Sequence, residues 1–185
     1  MDLKLGVAIH LSYFIIVYES ILINIKKFSY RNYMPNSEVF TQSIEIQADL
    51  EVVENCITDI NLIQHWLNPV LCCEPLDKWS MDLGNQAKFI IKIPIIMPTL
   101  LSTIVVREAG LLVWEFSGFF TGRDHWEYQT IINGTLLLNR FEFQIPNPLV
   151  FWGFNAFARG LTRTDMQVQL QRIKIIAETI QSDYK

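Results

Sequence analysis

Side chains suited to proton transfer stand close together in the segment GRDHWEY. It holds Asp124, His125 and Tyr128, and Asn139 follows in the next strand-like segment. A carboxylate, an imidazole or a phenol can move a proton when it is held against a reacting group, and an amide can fix a polar group. Because successive strand residues face opposite sides, Asp124, Tyr128 and Asn139 fall on the predicted inward face. His125 falls on the outward face.

Two interpretations of these side chains stay open. In a hollow interior, Asp124 could accept a proton with a pKa raised by loss of water, and Tyr128 or His125 could take part. Otherwise Asp124 belongs to the turn after Gly122 and contacts water, while Tyr128 is a core residue with a paired hydroxyl. His125 would then lie on a charged outer face, unless a one-residue bulge reverses the two faces. For catalysis, the sequence favours the second interpretation.

The signatures of metal, nucleotide and disulfide chemistry are missing from the sequence. No CxxC, HExxH, P-loop or GxGxxG motif occurs, and the three His do not have metal-ligand spacing. We therefore predict no metal site and no cofactor. Cys56, Cys72 and Cys73 are too few for a disulfide framework, which favours a reducing, cytoplasmic compartment. Residues 34–185 carry 11 Lys+Arg against 17 Asp+Glu, an acidic balance that argues against a nucleic-acid partner.

From residue 34 the hydrophobic pattern predicts strands and helices in a simple order. Alternating runs predict strands at 38–47, 70–76, 87–93, 100–107, 111–119, 122–132 and 135–145. After the first strand, Asp49 is a predicted N-cap, and Asp59 or Asn61 divides the next helical stripe into two short helices. The PIIMP run at 94–98 indicates an irregular connection, and Asn133-Gly134 is the strongest hairpin signal.

One long helix follows the last strand. Asn147 is a predicted N-cap and Pro148 suits the first helical position. Beyond Gly160, apolar residues recur at helical spacing, namely Met166, Leu170, Ile173, Ala177 and Ile180. Before Gly160, residues 149–157 are aromatic nearly all round and are predicted to be largely enclosed. Short connections between consecutive strands require an antiparallel sheet, so we predict an α+β fold with about seven curved strands wrapped around this helix.

The large aromatic side chains of the strands fall on the inward face and point toward the helix. Together with Trp66, Asn139 and three phenylalanines of the helix they form the predicted ligand-binding set: Trp66, Trp114, Phe116, Trp126, Tyr128, Asn139, Phe141, Phe143, Phe151, Phe154 and Phe157. If these rings fill the interior, they form an ordinary core. If the helix is held away from the sheet, they line an apolar cavity with Trp66 near its mouth.

The first 33 residues form a separate hydrophobic segment. Residues 5–25 are mostly apolar and are followed by Lys26, Lys27 and Arg31. The length suffices to cross a bilayer, although His10, Glu19 and Asn24 interrupt it. This segment is therefore either a membrane anchor that leaves residues 34–185 on the cytoplasmic side, or an appendage preceding a domain that begins at Met34. The second interpretation is favoured, so we look for function in residues 34–185.

The pattern from Val39 to Ile180 resembles the START-like, or SRPBCC, superfamily. The resemblance rests on the segments ADLEVVENCITD, HWLNP, GFFTGRDHWEY, NGTLLLNRFEF and KIIAE. It implies the helix-grip fold of birch-pollen-type allergens, START domains and bacterial polyketide cyclases, and it favours a cavity over a packed core. Uncharacterised bacterial members carry a histidine at the position of His125.

Three hypotheses of function follow. The first is binding or transfer of a hydrophobic or amphipathic small molecule, such as a lipid, an isoprenoid or a polyketide-like compound. The second is a cyclase, dehydrase or isomerase that uses Asp124, Tyr128 or His125 in proton transfer. The third is a membrane-tethered factor that handles a quinone or a lipid, if residues 5–25 insert into a membrane.

Overall fold

The computed structural model describes residues 36–92, 97, 99–118, 120–145, 151–152 and 154–184. Its elements, in chain order, are β1 (Asn36–Ile46), α1 (Leu50–Thr58), α2 (Ile60–Trp66), β2 (Leu71–Pro75), β3 (Gln86–Ile91), β4 (Thr99–Glu108), β5 (Leu111–Gly118), β6 (Thr121–Ile131), β7 (Gly134–Ile145), a π-helical turn (Phe154–Ala158) and α3 (Arg159–Asp183). The predicted fold class is confirmed.

The seven strands form one antiparallel sheet in the order β1-β7-β6-β5-β4-β3-β2. Each neighbouring pair from β2 to β7 is joined by a short connection, as the strand pattern predicts, and β1 pairs with the last strand. The register shifts between Ile104 and Val106 of β4. Such a bulge exchanges the two faces of the strand beyond it, and the sequence analysis did not detect it.

The two short helices divide at Asp59, one of the two predicted positions. Its carboxylate accepts hydrogen bonds from the backbone N–H groups of Asn61, at 2.7 Å, and Leu62, at 3.2 Å. Asp49 occupies the cap position of α1, but its side chain makes no capping bond. Instead, its carboxylate accepts a hydrogen bond from Gln181 Nε2 at 3.3 Å, which ties the start of α1 to the end of α3.

The long helix lies across the concave face of the sheet. Its predicted stripe is buried at Met166, Leu170, Ile173 and Ala177. Gly160 lies within α3. The helical region departs from α-helical geometry just before α3, in the π-helical turn. Trp152 is 62% exposed. The prediction that residues 149–157 are largely enclosed is therefore wrong at this residue.

Some predictions fall outside the described residues. These are the hydrophobic segment at residues 5–25, the helix N-cap at Asn147, the first helical position at Pro148, and residues 93–96 and 98 in the PIIMP region. Within the described part of the chain, no helix is both long and apolar enough to cross a membrane.

Two groups of buried rings lie on the concave side. The first, which we call the tryptophan cluster, contains Trp66, Trp114, Trp126 and Tyr128, with Leu170, Ile173 and Ala177 of α3. The second, the phenylalanine cluster, contains Phe40, Phe116, Phe143 and Phe154, with Met166 of α3. The helix therefore covers both clusters with one apolar stripe.

We expect Asp59→Ala to lower the free energy of unfolding by about 1 kcal/mol, because two backbone N–H groups lose their acceptor. Asp49→Ala is the matched control, since Asp49 holds the equivalent position without capping; a change of only about 0.5 kcal/mol is expected. Urea unfolding monitored by circular dichroism measures both values. Equal losses in the two variants would contradict the capping role of Asp59.

Candidate functional site

A hydrogen-bonded polar group lies on the concave face between the two aromatic clusters. Asp124 of β6 accepts a hydrogen bond from Asn139 Nδ2 at 2.6 Å and another from Trp126 Nε1 at 2.9 Å. Asn139 Nδ2 also donates to the backbone carbonyl of His125 at 3.2 Å. Asp124 thus points into the protein from the middle of a strand and is not part of the turn after Gly122.

The surroundings of Asp124 change its proton affinity. Burial raises the pKa of its carboxyl group to about 7, against the ordinary value of 3.8, while the hydrogen bonds from Asn139 and Trp126 act in the opposite direction. A carboxyl group with this pKa exists in both protonation states near neutral pH. It can therefore accept or donate a proton without a large free-energy cost.

The concave face remains accessible at the position of Asp124. Asp124 of β6 and Phe141 of β7 are directly paired in the register and both face the helix. Each is only half-buried, although Trp114, Trp126 and Phe143 beside them are buried. The side chains that the structure describes therefore leave part of the surface of Asp124 and Phe141 uncovered, although the Asp124 carboxyl is buried enough to raise its pKa.

A second hydrogen-bond acceptor, the side-chain oxygen of Gln42, lies on the same concave face of the sheet. Gln42 of β1 pairs with Asn139 in the register, and its Nε2 donates to the backbone carbonyl of Arg163 on α3 at 2.6 Å. Gln42 Oε1 is buried, and no hydrogen bond to it is found among the described residues. A buried acceptor without a partner is costly, so this oxygen is available to a donor that enters the space.

Tyr128 does not belong to this open space. Its hydroxyl accepts a hydrogen bond from Arg107 Nη1 at 2.7 Å, and Arg107 also forms an ion pair with Glu54 of α1. Burial raises the pKa of the Tyr128 hydroxyl. Arg107 faces inward because the bulge after Ile104 exchanges the faces of β4, and strand parity alone therefore missed this residue.

His125 lies on the convex face of the sheet, as strand parity indicates. Its Nε2 is 3.7 Å from the Glu142 carboxylate, which also pairs with Arg140 at 2.6 Å. The body of the sheet separates its imidazole from the space above Asp124. Of the three candidates for proton transfer, only Asp124 has access to that space.

The predicted aromatic residues divide between core and accessible positions. Trp66 is 5% exposed, donates its indole N–H to the Cys56 carbonyl at 2.8 Å and lies 5.4 Å from Trp126 between ring centres. It is therefore a core residue and does not lie at the mouth of a cavity, because its indole N–H has a hydrogen-bond acceptor inside the protein. Trp114, Trp126, Phe116, Phe143 and Phe154 are buried, whereas Phe141 and Phe151 are half-buried. The side chain of Phe157 lies outside the described residues.

Further aromatic residues complete these clusters, although the sequence analysis did not select them. Trp79 lies 6.2 Å from Trp114, and Phe89 lies 6.3 Å from the same ring. Phe120 is 5.6 Å from Phe143, and Phe40 is 5.9 Å from it. The inward alternation of β1 could have identified Phe40. Trp79 is outside the regular strands, and no periodic signal marks it.

A shallow recess of about 670 Å³ lies elsewhere, on the convex face around the start of β6. Its lining is mostly polar and includes Thr103, Glu115, Ser117, Arg123 and Glu142. It is distinct from the predicted cavity, because these side chains point away from the helix.

Other kinds of site have little support in the described part of the chain. Burial raises the pKa of the Cys56 thiol to about 11 and that of the Cys73 thiol to about 12, which leaves both as weak nucleophiles. The residues that the structure describes contain no group of three His, Cys, Asp or Glu side chains that could hold a metal ion.

A seven-stranded antiparallel sheet wrapped around one long helix defines the helix-grip class of proteins. The family model described as "Polyketide cyclase / dehydrase and lipid transport" matches residues 37–178. The chain therefore belongs to this family, within the SRPBCC superfamily. This membership supports hydrophobic ligand binding in general. No curated protein matches the sequence.

Solved structures share the fold at low sequence identity. The protein TTHA0849 from Thermus thermophilus is 13% identical with a TM-score of 0.62, over 77% of this chain and 99% of that one. The ZhuI aromatase/cyclase from Streptomyces sp. R1128 is 12% identical with a TM-score of 0.59, over 77% and 94%. SA2116 from Staphylococcus aureus is 9% identical with a TM-score of 0.62, over 83% and 100%. These likenesses show the fold alone.

The raised pKa of Asp124 predicts a pH-dependent stability. The folded protein holds this proton to about pH 7, whereas the unfolded chain releases it near the ordinary value of 3.8. Stability therefore falls as the pH rises from about 4 to about 7 and then levels off, by about 1–3 kcal/mol from this group.

Asp124→Asn removes this contribution, so its unfolding free energy, measured in urea between pH 5 and pH 8, should depend less on pH than that of the wild type. Glu142→Gln, on the next strand but on the convex face, should keep the wild-type dependence. Parallel curves for wild type and Asp124→Asn would show that Asp124 ionises at its ordinary pKa.

Proposed function

We propose that this protein binds a hydrophobic or amphipathic small molecule, a lipid, isoprenoid or polyketide-like compound, between the concave face of the sheet and α3. The observation that carries the proposal is the accessible pair Asp124 and Phe141 among buried neighbours. An apolar body would contact the half-buried Phe141, whose ring stacks on the buried Phe116 at 5.1 Å. Such burial contributes about 25 cal/mol per Å².

The polar groups in this space favour a ligand that donates hydrogen bonds. The Asp124 carboxylate is an acceptor when ionised, and Gln42 Oε1 is a buried acceptor without a described partner. The inward cation of the sheet, Arg107, is already engaged, because it pairs with Glu54. A carboxylate or phosphate head group would meet Asp124 without a compensating cation. We therefore propose an uncharged alcohol or phenol as the head group.

A matched pair of probes tests this head-group preference. 4-Nonylphenol and 4-nonylbenzoate share one apolar tail, and calorimetric titration at pH 8 should give at least about tenfold tighter binding of the phenol. Asp124→Asn should weaken phenol binding by about tenfold because the anionic acceptor is lost. Glu142→Gln, the convex-face control, should bind like the wild type.

Native mass spectrometry of the full chain, purified from cells, adds an independent reading. We expect a co-purified apolar molecule that Phe141→Trp displaces, because the larger ring occupies the accessible space. Equal binding of phenol and benzoate, or binding unaffected in both Asp124→Asn and Phe141→Trp, would refute a ligand at this position.

A second candidate function, proton-transfer catalysis of the cyclase, dehydrase or isomerase type, is favoured by one observation. Asp124 is accessible and its pKa is about 7, which suits a general acid or base at neutral pH. The role would rest on Asp124 alone, because Tyr128 is paired with Arg107 and His125 is on the other face.

Exchange of the α-protons of an aliphatic 1,3-diketone for deuterium, followed by NMR, tests this second function. The wild type should accelerate the exchange over Asp124→Asn while both bind the compound. Equal exchange with intact binding would leave ligand binding as the sole function.

The third hypothesis, tethering through residues 5–25, stays a prediction. Comparing the membrane fractions of the full chain and of a chain starting at Met34 tests it.

A further inference from the structure

The two oxygens of the Asp124 carboxyl group each face a hydrogen-bond donor. Asn139 Nδ2 lies 2.6 Å from Oδ1, and Trp126 Nε1 lies 2.9 Å from Oδ2. An indole N–H group and an amide nitrogen donate hydrogen bonds and accept none. An ionised carboxylate only accepts hydrogen bonds, so it is compatible with both neighbours.

A second hydrogen bond holds the Asn139 amide in this orientation. Its Nδ2 also donates to the backbone carbonyl of His125 at 3.2 Å. Turning the amide over would place its oxygen against that carbonyl oxygen, where two acceptors face each other and the bond is lost. Asn139 therefore stays a donor toward Asp124 in both protonation states of the carboxyl group.

A protonated Asp124 must direct its proton away from both partners, because neither can accept it. The proton then takes one of the lone-pair directions that the two donors leave free. Asp124 and Phe141, its partner in the register, keep surface that the described side chains do not cover. The free direction therefore lies on the side where the proposed ligand would bind.

Other ionisable groups do not take up this proton. The concave face and the adjoining part of α3 carry these charged or titratable side chains besides Asp124: Glu38, Cys73, Arg107, Tyr128, Arg159, Arg163 and Asp165. Within the described residues, none of them forms a hydrogen bond or an ion pair with Asp124. Burial is the largest cause that raises the pKa of its carboxyl group to about 7, and the opposing causes are its two hydrogen bonds. Both protonation states are therefore populated near neutral pH.

We propose that this site binds two chemical classes of head group and that the proton on Asp124 selects between them. The ionised carboxylate binds a donor, such as an alcohol or a phenol. The protonated carboxyl group binds an acceptor that lacks a proton of its own, such as the carbonyl oxygen of a ketone, a quinone or an ester. Gln42 Oε1 on the same face is itself an acceptor, so it cannot replace the donor. The inference rests on the proposed function, because it requires a ligand at Asp124.

A matched pair of probes tests the selection. 4-Nonylphenol and 4′-nonylacetophenone share one apolar tail, and both are uncharged at about pH 5 and about pH 8. In calorimetric titration the ketone should bind about tenfold more weakly at pH 8, because only about a tenth of Asp124 then keeps its proton. The phenol should bind more tightly at pH 8, by up to about tenfold, because its bond to the carboxylate is charge-assisted.

Two variants show whether Asp124 carries the effect. In Asp124→Asn the affinities for the ketone and the phenol should be the same at both pH values, because the titrating group is gone. His125→Gln is the matched control: His125 lies on the same strand but on the convex face, and histidine is the side chain that ordinarily changes charge in this pH range. This variant should keep both pH dependences of the wild type.

Infrared spectroscopy of the bound ketone gives a reading that needs no variant. Its C=O stretching band should lie at lower frequency at pH 5 than at pH 8, because the carbonyl oxygen accepts a hydrogen bond only from the protonated carboxyl group. The same frequency at both pH values would overturn the inference.

Ketone affinity that is equal at both pH values, with phenol binding intact, would overturn this inference and leave the proposed function standing. A pH dependence in Asp124→Asn like that of the wild type would also overturn it, since another group would then carry the proton. If neither probe binds at either pH, the proposed function is refuted and this inference with it.

Discussion

The packing of α3 across the concave face is the constraint on which the rest of the structure depends. Its stripe joins both ring clusters, because Met166 packs with the phenylalanines and Leu170 packs with the tryptophans. Polar contacts along β1 fix its distance from the sheet: Gln42 donates to the Arg163 carbonyl and Lys174 Nζ donates to the Glu45 carbonyl at 2.8 Å. Phe40 is the residue of β1 that is level with Asp124, so these two contacts hold the helix on one side of that level and the Arg159–Glu38 ion pair holds it on the other.

Between the two clusters the sheet places polar groups where an ordinary core would have apolar ones. A carboxyl group in this position loses hydration, and its two N–H donors compensate only in part, so its pKa rises to about 7. In the proposed function this side chain would accept a hydrogen bond from the ligand or, in the second candidate function, carry a proton. Neither Tyr128 nor His125 could assist it, because Tyr128 is paired with Arg107 and His125 lies on the other face of the sheet.

Much of the fold was predictable from the sequence, because strand alternation and turn residues are local signals. The order of the seven strands, the division at Asp59 and the stripe on α3 follow from such patterns. Strand parity also placed Asp124 and Asn139 on one face. What it could not predict depends on contacts distant in sequence: the bulge in β4 that turns Arg107 inward, and the burial of Trp66 against Trp126. The solvent contact of Phe141 depends on the height of the helix above the sheet, which no local pattern encodes.

A series of aromatic rings leads from Phe120, in the β5–β6 connection, to Asp124. Phe120 contacts Phe143 at 5.6 Å, Phe143 lies 5.1 Å from Phe141, and Phe141 is paired with Asp124 in the register. Phe120 and Phe141 are half-buried, whereas Phe143 between them is buried. The proposed ligand would therefore contact Phe141 with its apolar part and reach a polar group only at Asp124, so an amphipathic molecule would bind with its polar head at the carboxyl group.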